Sequence, residues 1–235
     1  MKSFFKVSNV FFLFSFGVWV QGMAQVKTVG SMSEMGKNQF APTIALDTLA
    51  SRKKLIGLGP LGRMEGEITV LNGKALGARV QADGQGSVSN IWQVEAPFFV
   101  YAKIEKWKNK NVNWAINNVD ELQTKLEEAA IRQGISLEEA FPFRLKGTFS
   151  VMKTHIVMPR SPEIEGYQVG KNQTDYTFTD IEGEIVGFYS AKHAGIFTSK
   201  TSRLHIHFVG KNEKIMGHIN ALKWSERDMK LALPR

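Results

Sequence analysis

Apolar residues along most of this chain alternate with polar ones, the period of a half-buried strand, and only one segment repeats at helical spacing. Residues 67–71, 74–81, 143–151, 176–178, 184–189, 203–209 and 214–222 read as strands. Asn72-Gly73, between the first two runs, predicts a tight hairpin turn, and Asp83-Gly84 predicts a second turn. The glycine-dense segment Leu55 to Gly62 reads as a turn region leading into residue 67. In the helical segment Leu122, Leu126, Ala129 and Ile131 share one stripe, with Asp120 at the cap position and Gly134 as the stop. Pro159, Pro162 and the polar residues to Asp175 predict a long connection. The sum is an α+β fold of mainly antiparallel or mixed sheets with few helices. It divides into a sheet-plus-helix half over residues 25–140 and a sheet half over 141–235.

Residues 1–24 stand apart from that pattern. Lys2 and Lys6 precede a short apolar run from Val7 to Val20, and Gly22-Met23-Ala24 supplies a small-x-small exit. This is the build of a secretory signal peptide, and the run is shorter than the roughly 20 residues a membrane helix needs. The expectation is export, to the periplasm or beyond, with no stable membrane insertion after cleavage. The leader contains two Lys and no acid, so its removal lowers the formal charge from +8 to +6. The remaining basic residues are scattered among acids, which argues against a nucleic-acid footprint and suits a small anionic substrate.

The chain has no cysteine. That excludes disulfides, thiolate metal sites and a cysteine nucleophile, and leaves His and carboxylate as metal ligands. Three of the five His meet that restriction on one predicted β-hairpin near the C-terminus. In Arg203-Leu204-His205-Ile206-His207-Phe208-Val209 the two histidines share a face, opposite Leu204, Ile206 and Phe208. A four-residue loop Gly210-Lys211-Asn212-Glu213 would pair Val209 with Lys214 and set His205 directly opposite His218. Three converging imidazoles with an open position are the ligand set of a catalytic zinc. Glu67, beside a glycine turn, is a candidate proton donor, although an isolated glutamate at a strand start usually faces solvent. His155 and His193 stand alone in sequence and by themselves read as structural or exposed.

These residues resemble the α-acetolactate decarboxylase family. The resemblance is carried by Gly183-Glu184-Ile185-Val186-Gly187-Phe188-Tyr189, by His205-Ile206-His207-Phe208 with Gly217-His218, and by Gly57-Leu58-Gly59 with Gly66-Glu67-Ile68. Gly147-Thr148-Phe149 with Lys153 adds to it. It implies a Zn2+ enzyme, often a homodimer, that converts 2-acetolactate to acetoin and carbon dioxide. The metal would chelate the keto and hydroxyl oxygens and stabilise an enediolate. The family's zinc ligands map onto His205, His207 and His218, and its N-terminal glutamate maps onto Glu67. The family's active-site arginine falls on His155 in Lys153-Thr154-His155-Ile156-Val157, making His155, or Lys153 beside it, the substitute. A family threonine is Pro60 here. The family's second, tail-borne glutamate has no clear counterpart after His218, because Glu226 lies close to the strand. Two alternatives follow from these departures: a metal-retaining binding protein for a small hydroxy-keto acid, or another zinc lyase or hydrolase.

Overall fold

The computed structural model describes residues 25–37, 39–159 and 171–235. The leader at 1–24 and the middle of the connection after Pro159 lie outside the described residues. Two antiparallel sheets form the framework. The first runs β1 (Lys27–Val29), β8 (Phe99–Lys103), β3 (Leu55–Pro60), β4 (Glu67–Leu71), β5 (Lys74–Val80), β6 (Gly86–Asn90). The second runs β10 (Phe141–Val157), β11 (Gln173–Tyr189), β12 (Leu204–Gly210), β13 (Met216–Pro234), β9 (Trp107–Ile116). Its β10 also pairs with β13, so this sheet closes on itself. A short pair, β2 (Ile44–Ala45) and β7 (Glu95–Ala96), sits beside them. The α+β class with dominant antiparallel sheets is the one the alternation predicts.

Strand periodicity decides what each face meets. On β4, Ile68 and Val70 enter a core with Leu55, Leu61, Ala75 and Phe99, while Glu67 and Thr69 point the other way, toward the second sheet. Between the sheets, Ile56, Leu58, Phe98 and Val100 meet Ile156, Val186, Phe188 and Met216. Each such burial contributes roughly 1.5–3 kcal/mol against exposure. A third cluster seats α2 (Val119–Gln133) on the second sheet through Leu122, Leu126, Trp114 and Phe141. Strand β9 and α2 thus pack with the C-terminal strands.

Several local expectations shift. The helix is capped by Asn118, whose side chain accepts from Glu121 N at 2.9 Å, and Asp120 falls inside the first turn. Ile131 is 61% exposed, and Ala130 takes its place in the core. Gly134 ends the helix at φ 81° as the pattern requires. Leu55 to Pro60 is a strand rather than a turn region. The runs 176–178 and 184–189 are parts of one strand, and the last strand starts at Met216. The Asn72-Gly73 turn holds, with φ of 51° and 82° suited to a two-residue hairpin.

Candidate metal centre

The three C-terminal histidines converge, by a different register from the one the sequence suggests. Val209 pairs with Met216, so His207 rather than His205 lies directly opposite His218. The turn takes in Lys214 and Ile215, closed by Gly210 N donating to Ile215 O at 2.8 Å. A shift of two residues preserves the face, and the cluster survives it. His155 on β10 is the neighbour of His218 on its other side. The row His155–His218–His207 therefore crosses three adjacent strands. Gly217 permits the approach, since a Cβ there would lie 2.7 Å from the His155 carbonyl oxygen.

Ring centroids are 5.1 Å apart for His205–His207, 5.2 Å for His205–His218 and 5.4 Å for His207–His218. One ligand nitrogen from each lies within 4.8 Å of the others. His205 Nδ1 and His207 Nε2 are buried without a hydrogen-bond partner. Thr69 Oγ1 sits 2.9 Å from His207 Nδ1; with that nitrogen protonated, the lone pair is at Nε2, facing the cluster. Burial drives the pKa of His205 down to about 3 and those of His207 and His218 well below the usual imidazole value, with neighbouring histidines adding to it. Neutral, converging and unpartnered imidazole nitrogens are what a divalent ion needs. The cluster fits a metal ion, and its chemistry favours one that accepts nitrogen ligands.

Glu67 faces this cluster from the first sheet. Its Oε2 lies 3.7 Å from His207 Nε2 and its Oε1 3.8 Å from His155 Nε2. Burial raises its pKa well above the carboxylate range, partly offset by the Val157 N–H donated to Oε1 at 3.3 Å. Burial thus favours the neutral form of this carboxyl more than solvent would. Gly66 makes the bend before it: φ is 152°, and a Cβ would lie 1.9 Å from the Ala78 carbonyl oxygen. Glu67 and His155 both reach the site, while Lys153 points to solvent. His193 lies elsewhere, its Nδ1 2.7 Å from Ser190 Oγ.

Between the walls is a cavity of about 280 Å³. Glu67, His155, His205 and His218 are its polar lining, and Met32, Met35, Pro60, Met64, Phe98 and Val157 its apolar one. Among the described residues no lysine or arginine lines it. Met32 and Met35 come from α1 (Met32–Gly36), moored by Met32 N to Ile196 O at 2.8 Å and Ser33 N to Gly195 O at 2.9 Å. Sequence reasoning misses Thr69, Met32 and Met35, as it does Met64 and Phe98. Thr69 is signalled by its place two residues from Glu67 on an alternating strand. Met32 and Met35 carry no signal, because a five-residue helix far from the histidines in sequence has no pattern tying it to them.

A closed and an open antiparallel sheet enclosing an imidazole cluster that could hold a metal ion, a buried carboxyl and a small cavity define a protein of mainly β architecture with a candidate small-molecule site. Residues 26–234 match the family model described as Alpha-acetolactate decarboxylase, and the chain belongs to that family. It is 24% identical over 196 residues to the alpha-acetolactate decarboxylase of Brevibacillus brevis, covering 83% of this chain and 65% of that protein. It is 25% identical over 173 residues to the one from Bacillus licheniformis, covering 69% and 61%. The chain thus spans just under two thirds of the length of these relatives. The crystal structure of the Bacillus subtilis strain 168 alpha-acetolactate decarboxylase superposes with a TM-score of 0.73 at 17% identity, over 90% of this chain and 86% of that one. A Staphylococcus aureus protein of unknown function similar to alpha-acetolactate decarboxylase gives 0.72 at 17% identity, over 88% and 84%. These likenesses speak for the fold.

Proposed function

We propose that the protein decarboxylates 2-acetolactate to acetoin and carbon dioxide, with zinc held by His205, His207 and His218, and that it works outside the cytoplasm. The observation that carries the reading is one buried carboxyl, Glu67, set against three converging imidazoles, of which His205 and His207 each present a buried nitrogen without a hydrogen-bond partner. Family membership and the curated relatives support it. A bound zinc ion supplies Lewis-acid polarisation of the substrate's keto and hydroxyl oxygens.

The chain's own residues do the rest. Thr69 fixes the His207 ring so that its bare nitrogen faces inward. Glu67 holds a proton and gives it to the carbon from which carbon dioxide departs, which completes acetoin; solvent then reloads the carboxylate. Phe98 and the three methionines exclude water and pack the two methyl groups of the substrate.

The test is incubation of zinc-loaded protein with racemic 2-acetolactate. Acetoin formation that chelation abolishes supports the reading. Zinc retained at about one equivalent without acetoin overturns it in favour of a binding protein or a different lyase. Mass spectrometry of exported material tests the location: an N-terminus at Gln25 is the expected result, and intact Met1 in the cytoplasm contradicts it.

A further inference from the structure

Four of the chain's five histidines cluster beside the cavity, and three of them form the candidate metal cluster. The fourth, His155, is held by a run of donors and acceptors that reaches the surface. Exposed Asp175 on β11 accepts from Asn220 Nδ2 at 2.9 Å and from Gln173 Nε2 at 2.6 Å. An ionised carboxylate can only accept. Asn220 therefore gives its N–H to Asp175 and turns its oxygen to His155 Nδ1, 2.6 Å away. That oxygen can only accept as well, so Nδ1 carries the proton. Nε2, the other ring nitrogen, faces Glu67 Oε1 at 3.8 Å. The backbone is shaped for this. Lys153 pairs with Ala221 and Thr154 with Ile219, leaving Asn220 as the extra residue of a bulge. Bulges re-aim side chains beside sites.

We propose that Asp175 and Asn220 are positioning residues that hold the His155 ring with Nδ1–H outward and Nε2 toward the Glu67 carboxyl, so that His155 orients Glu67 instead of holding the substrate carboxylate. The kinetic part of this proposal rests on the decarboxylase reading; the tautomer does not.

The experiment is imidazole nitrogen NMR of the zinc-loaded protein, followed by steady-state acetoin formation. In the wild type His155 shows the Nδ1–H tautomer. Asn220→Leu shifts it toward Nε2–H and lowers kcat about tenfold with KM and zinc content unchanged, the scale of losing an outer-shell partner. Asp175→Asn frees the Asn220 amide to turn either way and gives an intermediate tautomer population and an intermediate loss. Both residues are exposed, so the variants are expected to fold. An Nε2–H tautomer in the wild type overturns the proposal. So does an Asn220→Leu protein with unchanged tautomer and kcat, or one whose loss is confined to KM. If the wild type makes no acetoin, the decarboxylase reading fails, and the tautomer result alone decides the positioning.

Discussion

The two walls of the cavity are built on different principles. The imidazole wall comes from three strands in one continuous ladder, with His218 paired to His155 on one side and His207 on the other. Its backbone positions are over-determined by hydrogen bonds, and β12 is buried along its whole length. The facing wall has one fixed group, Glu67 on β4, and is otherwise assembled from a five-residue helix, a turn bearing Met64 and the side chain of Phe98. Methionine adapts to what it meets, whereas a ladder-held imidazole cannot move far. On the proposed function one wall would set the geometry of a bound ion, and the other would mould around the organic part of the ligand. If this division is right, substitutions should sort by wall as well as by distance from the cavity.

The largest effect belongs to the imidazole wall. His207→Ala removes one of the three proposed ligands and leaves Thr69 without its partner. We expect zinc content below about 0.1 equivalent by elemental analysis and at least a 1000-fold loss of acetoin formation, since the lost polarisation is worth several kcal/mol. Retention of metal and turnover would show that His205 and His218 suffice and would dissolve the comparison. Next comes the one fixed group of the other wall. Glu67→Gln keeps the shape and removes the proton, so kcat should fall by about 10²–10⁴ with zinc content unchanged. A variant that also loses zinc would move Glu67 from proton donor to ligand.

How much of this was legible in the sequence follows from the same physics. A two-residue turn such as Asn72-Gly73 sets its own register, because both residues take positive φ and no other loop length fits. The β12–β13 turn does not. Glu213 at φ 56° and Lys214 N bonded to Asn212 Oδ1 extend it by two residues beyond the four-residue reading. Strand period 2 made that error harmless to the face and wrong only about which histidine stands opposite His218. The meeting of Glu67 with His207, 140 positions later, depends on how one sheet packs on the other, and no local pattern encodes it. The resemblance to the family located Glu67; the partners of His155 needed coordinates. Asn220 in particular is re-aimed by a bulge that alternation cannot announce.

A smaller effect tests whether the imidazole wall is neutral and dry. In metal-free protein the folded histidines have pKa values depressed below 6.5, to about 3 for His205, so the unfolded chain binds more protons. Their contribution is present above pH 6.5 and is lost as pH falls toward the folded values, at up to about 1.4 kcal/mol per pH unit for each histidine. Glu67 acts in the opposite sense. Its folded pKa is raised, so its contribution is present below 4.5 and is lost as pH rises; one group offsets part of four. Urea midpoints at pH 7.5, 6 and 5 should fall steadily. A flat profile would mean that the cluster is hydrated in solution.

The smallest effect belongs to the moulded wall. Met35 packs against the inter-sheet core and lines the cavity from α1. Met35→Leu nearly conserves volume and should be accommodated by the neighbouring methionines, with KM for 2-acetolactate changing less than about threefold and kcat less than that. Steady-state kinetics decide it. A kcat loss approaching that of Glu67→Gln would mean that α1 holds the ligand in a reactive pose as strictly as the ladder holds the imidazoles. The two walls would then differ in construction and be alike in precision.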